Sequence, residues 1–108
     1  MAIKFPFGKA DVLALVYAAA LAPAIINTRS MGAVALTGDL ALNLQPDAEL
    51  MIGSEVILKI TADGVNRTVT PGANHVGAAI AVNATKIVCV TFVWDGAKFL
   101  TKGVQALN

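Results

Sequence analysis

Apolar and polar positions alternate most clearly near the end of the chain. There Val88, Val90, Phe92 and Trp94 interleave with Ile87, Cys89, Thr91 and Val93 before Asp95-Gly96. A period of two is the signature of a strand with two unlike faces. Asp-Gly suits a two-residue hairpin turn, since both central positions want positive φ. That loop length predicts Trp94 opposite Ala97, Val93 opposite Lys98 and Phe92 opposite Phe99, with an aromatic pair in mid-core. The other side carries Ile87, Cys89, Thr91 and Val93 against Lys98 and Lys102. It is too apolar for water alone and too basic for a core, so it is expected to pack partly against another chain.

Two more segments alternate upstream. Leu40, Leu42 and Leu44 interleave with Ala41, Asn43 and Gln45, after Ala33–Leu36 and the turn Thr37-Gly38-Asp39. A three-residue loop with a bulge sets Leu36 against Leu40 and Val34 against Leu42, which keeps the large residues on one side. In Glu55–Ala62, Val56, Leu58 and Ile60 face in while Lys59 and Thr61 face out. The turn Asp63-Gly64-Val65-Asn66 then leads into Arg67–Thr70, with Val69 opposite Ile60 and the threonines on the wet side. Gln45-Pro46-Asp47 ends one strand, Pro71–Ala79 is a Gly- and Ala-rich loop, and Ile80–Val82 forms a short strand. No internal repeat is visible.

Asp11–Ile26 has no polar face, which excludes an amphipathic surface helix. Propensity favours a helix capped by Asp11 and ended by Pro23, whereas an unbroken apolar run suits a buried or shared strand equally well. The β character of everything downstream favours the strand. In residues 1–10, Ile3, Phe5 and Phe7 occupy alternate positions, as in an extended arm that docks on a neighbouring subunit. Roughly six to eight short strands with turns about every 8–12 residues indicate an all-β, antiparallel β-sandwich or jelly-roll-like domain over 11–108, preceded by that arm.

Composition sharpens the expectation of partners. Of 108 residues 56% are hydrophobic and 14% charged, against roughly 25% charged in average chains. A domain this small cannot hide so much apolar surface inside itself. Val12–Ala22 is shorter than the about 20 apolar residues that a spanning helix needs, so self-association is favoured over a membrane. As a secretory leader, the first 22 residues are spoiled by Asp11 and Pro6. A net charge of +1 without a basic cluster leaves no nucleic-acid footprint.

Candidate chemistry is sparse. One His and one Cys cannot make a metal site at ligand spacing, and Cys89 in mid-strand reads as a small buried hydrophobe. Asp39, Asp63 and Asp95 sit in turns where a backbone role suffices, and Asp47 and Glu49, a conceivable carboxylate pair, read more simply as part of a solvated, Pro-flanked link. His75 is the best single candidate for a loop contact; beside it stands the plainer reading of an exposed loop histidine without a task. Asn66-Arg67-Thr68 and Asn83-Ala84-Thr85 match a three-residue glycosylation pattern that arises often by chance. No phosphate loop or nucleophile triad is present, so neither a catalytic function nor a cofactor is expected.

The succession ALTGDLALNLQPD, GSEVILKITADGVNRTVTPG and KIVCVTFVWDGAKFLTKG resembles small virion proteins of tailed bacteriophages. The likeness is carried by Thr61, Asp63, Gly64, Arg67, Thr68, Phe92, Trp94, Asp95, Gly96 and Phe99, within residues 33–103. It implies a β-sandwich module that trimerises and serves as a capsid auxiliary (decoration) subunit bound to the major capsid protein or another virion protein. The implied location is the capsid surface, with no catalytic residues. The interface residues expected are Ile3, Phe5, Phe7, Ile87, Cys89, Thr91 and Val93. Two alternatives remain: a receptor- or glycan-binding module of a head or tail fibre, with His75 and Trp94 near the contact, and a membrane-associated protein inserting Asp11–Ala22.

Overall fold

The computed structural model describes residues 11–13 and 15–107, and these contain strands and no helix. The strands are β1 (Asp11–Leu13), β2 (Ala20–Leu21), β3 (Ala24–Ile25), β4 (Arg29–Ala35), β5 (Leu40–Leu42) and β6 (Gln45–Pro46). They continue as β7 (Glu55–Thr61), β8 (Arg67–Pro71), β9 (His75–Val76), β10 (Ile80–Val82), β11 (Ile87–Trp94) and β12 (Phe99–Ala106). A six-stranded sheet has the order β1-β4-β7-β11-β12-β9, a four-stranded sheet the order β10-β8-β5-β2, and β3 pairs with β6. Ile3, Phe5 and Phe7 lie outside the described residues.

The chain reaches this arrangement by winding. β1, β4 and β7 run parallel in the large sheet, as do β2, β5 and β8 in the smaller one, so successive passes stack as coils. Partners are 19 residues apart at Asp11 and Ser30, 21 at Ala20 and Ala41, 26 at Arg29 and Glu55, and 29 at Leu40 and Val69. Antiparallel pairing appears at β11–β7, β11–β12 and β10–β8, where the last strands close the stack.

Three expectations are thereby corrected. The sheets are mixed rather than antiparallel. Ala33–Leu36 with Leu40–Leu44, and Glu55–Ala62 with Arg67–Thr70, are not hairpins: each turn is an arch that carries the chain from one sheet to the other. Leu36 and Leu40, like Ile60 and Val69, do belong to one core, but they enter it from the two sides of an arch and not as cross-strand partners. A structural repeat exists although the residues do not repeat.

The final turn also differs. Trp94 pairs with Phe99 and Phe92 with Thr101, so the loop is the four residues Asp95–Lys98 instead of two. Asp95 explains this: its Oδ1 accepts from the N–H groups of Ala97 at 2.7 Å and Lys98 at 2.6 Å, while its own N–H donates to the Lys98 carbonyl. An aspartate that bonds its own backbone ahead builds a longer loop. Gly96, at φ +97°, supplies the left-handed residue. Lys102 is then the extra residue of a bulge, between Thr101 opposite Phe92 and Gly103 opposite Thr91.

Asp11–Ile26 contributes three short strands, and among the described residues β1 and β2 are the outer edges of their sheets. The ladder from the second coil is regular, with N–H groups of Ala41, Asn43, Gln45 and Asp47 donating to carbonyls of Ala19, Leu21, Pro23 and Ile25. Pro23 fits because an outermost strand needs only its carbonyl side here. One core joins both sheets, and Phe92, Phe99, Leu36, Leu40, Leu42, Leu44, Leu58 and Ile60 are all fully buried within it.

Candidate interaction surface

The outward side of the six-stranded sheet gathers what the alternation predicts. Since strand partners share a face, registers place Val12, Met31, Ile57 and Thr91 in one row across β1, β4, β7 and β11. The adjoining row is Arg29, Glu55, Val93, Leu100 and Val76, reaching β12 and β9. Ala33, Lys59, Cys89 and Gln105 form the next. Val12 is 80% exposed, Met31 52%, Leu100 37% and Val76 55%. Ile57, Ile87, Cys89, Thr91 and Val93 are half-buried. An apolar band thus crosses the whole sheet.

Ile87, Cys89, Thr91 and Val93 therefore stand together on the outward side, as the alternation along β11 implies. Their neighbours Val12, Met31, Ile57, Leu100 and Val76 were missed. The parity of β4 and β7 would have given Met31 and Ile57 an outward face, but only the strand order brings them beside β11.

Charge on this face is local. Lys102 Nζ donates to Glu55 Oε2 at 3.0 Å, which ties the bulge to β7, and Arg29 and Lys59 are exposed beside the band. Small side chains at Ala33 and Ala35 leave an open groove of about 320 Å³ bounded by Leu15, Lys59 and Thr61.

The first coil adds to the apolar surface. Val12–Thr28 contains no charged residue, and Val16 and Ile26 are exposed at the stack's open end. End coils of stacked folds ordinarily present a polar outer side. This one does not.

His75 is placed differently from the loop contact expected of it, whereas Trp94 lies on the core side that the alternation predicts and not at the contact of the fibre alternative. His75 is buried, its ring 4.9 Å from Phe92 and 5.6 Å from Phe99, and its Nε2 accepts the Leu44 N–H at 3.0 Å. The reason is register: β9 pairs with β12, so His75 shares the inward side with Phe99 while Val76 points out. Trp94 stacks on Phe99 at 4.8 Å within the same cluster. Neither residue offers a contact surface.

The acidic residues serve local structure. Asp63 accepts from Arg67 Nε and Nη2, both at 3.0 Å, and that guanidinium holds its carboxyl below the usual range. Asp95 is held low by the two backbone donors of its loop. Among the described residues no group of His, Cys, Asp and Glu is disposed to hold a metal ion. No helix among them is long and apolar enough to cross a membrane, and the described residues of Asp11–Ala22, expected as an inserting helix in one alternative, are strand and loop. Compared with known proteins, the sequence matches no family model and no curated sequence.

Proposed function

We propose that this chain is a non-enzymatic structural subunit of a virion, which self-associates as a trimer and reinforces a capsid surface. The observation that carries the reading is the apolar band across the outward side of the large sheet, where Val12, Met31, Leu100 and Val76 are open to solvent. Burying apolar area contributes about 25 cal/mol per Å², and stable interfaces remove roughly 1,600 Å² in total. Much of that gross gain is offset by ordering and association. Repetition around a shell lets modest contacts act together.

The virion assignment rests on the resemblance of residues 33–103 to small phage proteins. Two sheets enclosing one core suit the sandwich-like module which that likeness implies, with coil-wise connections in place of jelly-roll ones. Ile3, Phe5 and Phe7 enter the proposal as an arm on sequence grounds. The receptor- or glycan-binding alternative loses support because His75 and Trp94, its candidate contacts, are core residues.

Sedimentation equilibrium of the purified chain tests the association, with a mass near three times 11.1 kDa expected. A monomer throughout the micromolar range overturns it. Co-sedimentation with undecorated phage capsids tests the partner, and binding to glycans but not to capsids would favour the fibre module.

A further inference from the structure

His75 joins parts of the chain that the strand ladders leave to side chains. Its Nε2 accepts from the Leu44 N–H of the β5–β6 segment, and beside it Asn74 Nδ2 donates to the Leu44 carbonyl at 2.9 Å. The Asn74 N–H meets Asn43 Oδ1 at 2.8 Å. On the other side, the Asn74 carbonyl accepts the Phe99 N–H at 2.7 Å and begins the short pairing of β9 with β12. The segment 72–76 is thus pinned between the second coil and the final hairpin, with the imidazole at its centre.

We infer that His75 is an acid-released clamp: uptake of a proton by its ring breaks the hold on Leu44 and frees β9 from the edge of the large sheet. The geometry admits only the neutral ring. With Nε2 accepting, the proton resides on Nδ1, which is buried without a hydrogen-bond partner among the described residues. A second proton would turn Nε2 into a donor aimed at the Leu44 N–H. Both ring N–H groups would then lack acceptors in an apolar site, and a buried unmet donor is unfavourable by about 1–3 kcal/mol in general, more when charged.

No neighbour offsets this. The elements packed on the ring present Asn43 and Leu44, Phe92 from β11 and Phe99 from β12, none of them ionisable here. In the adjoining loop Lys98 Nζ donates to the Ala73 carbonyl, and the Asp95 Oδ1 accepts from the N–H groups of Ala97 and Lys98, so neither charge bonds the ring. Burial accordingly pushes the His75 pKa below its usual 6.5. The released ring regains the higher value, so the open form binds more protons. The clamp therefore holds above pH 6.5 and weakens as the pH falls towards the folded value. Opening uncovers Phe92 and Phe99 and the β12 edge at Phe99–Leu100, a ready site for another strand.

The chain's one histidine and one tryptophan make the test direct. In the full chain, protection of the Leu44 amide, corrected for intrinsic exchange, is expected to fall up to tenfold per pH unit below 6.5, as linkage to one proton requires. Trp94 emission should change in parallel. His75→Gln, which keeps an acceptor but does not titrate in this range, should make both readouts flat between pH 7.5 and 5. Unchanged protection in the native chain over that range, or the same acid dependence in H75Q, overturns the inference. Should H75Q fail to fold, the imidazole titration of the native chain decides. Titration below 6.5, in step with Leu44 exchange, supports the clamp, and titration at 6.5 or above overturns it.

Discussion

The Tyr17 hydroxyl donates to the main-chain carbonyl of Asp39 at 2.9 Å, which joins the corner of the first coil to the corner of the second. Asp39 then extends the link: its Oδ1 accepts the Thr68 N–H at 3.0 Å, at the start of β8 in the third. Gly38 permits the approach, since a Cβ there would meet the Tyr17 hydroxyl. One column of side-chain bonds thus runs across three stacked turns where backbone ladders do not reach.

Cutting this column should be felt at each joint. Asp39→Ala leaves the Thr68 N–H to water and should lower stability by about 1 kcal/mol, and Tyr17→Phe by about 0.5–1.5 kcal/mol. Urea denaturation of both variants measures this. Gly38→Ala should lose the Tyr17 contact as well, and a stability equal to the native chain's would contradict the packing described.

The Asp95–Lys98 loop makes a second prediction. Gly96→Ala places a side chain at φ +97° with its Cβ 3.2 Å from Ile52, so strain and crowding act together. A loss of more than about 1 kcal/mol is expected, because Ala at positive φ is strained before any contact is counted. Thermal unfolding of the variant would show it.

Acid should act in two separable stages. Asp63 and Asp95 have carboxyls held below 3.8 in the fold. Their contribution is fully present above the unfolded value and is lost as the pH falls through the folded one. Asp95→Asn should therefore remove its share of the stability loss below about pH 4, with the Asp63 share remaining and the His75 stage that begins near 6.5 untouched. Denaturation midpoints taken from pH 7.5 to 2.5 resolve the two.

The apolar band gives a test of assembly apart from folding. Met31→Glu adds a charge at an exposed site and should change monomer stability by no more than about 0.5 kcal/mol. Its association constant should drop at least about tenfold, equivalent to roughly 1.4 kcal/mol. Sedimentation read beside a urea curve distinguishes these. Association as strong as the native chain's would move the interface elsewhere.

The facing of side chains was legible in the residues. Val56, Leu58 and Ile60 point inward, as do Leu40, Leu42 and Leu44 and the Val88–Trp94 set, because alternation records the environment of one strand. Which strands lie side by side was not. Thr37-Gly38-Asp39 and Asp63-Gly64-Val65-Asn66 suit a hairpin and an arch equally, and the choice depends on partners 19 to 29 residues away. The Pro71–Ala79 stretch looked like open loop because its two-residue strand is too short to show a period, so His75 could not be seen to face the core. The outward residues of β11 were recoverable, but their company was not.

Spacing along the chain carries a consequence for how it assembles. The β11–β12 ladder begins with Trp94 and Phe99, five positions apart, whereas every partner pair between β1 and β4, such as Asp11 and Ser30, is 19 apart. Local closure is fast and distant closure slow, so the hairpin is expected to nucleate and the stack to grow backwards from it. Substitutions at Phe99 should then slow refolding, while those at Leu21 should mainly hasten unfolding. A chain that emerges from the ribosome amino end first would have to wait for the segment Ile87–Ala106 before any of the earlier turns had a template to settle on.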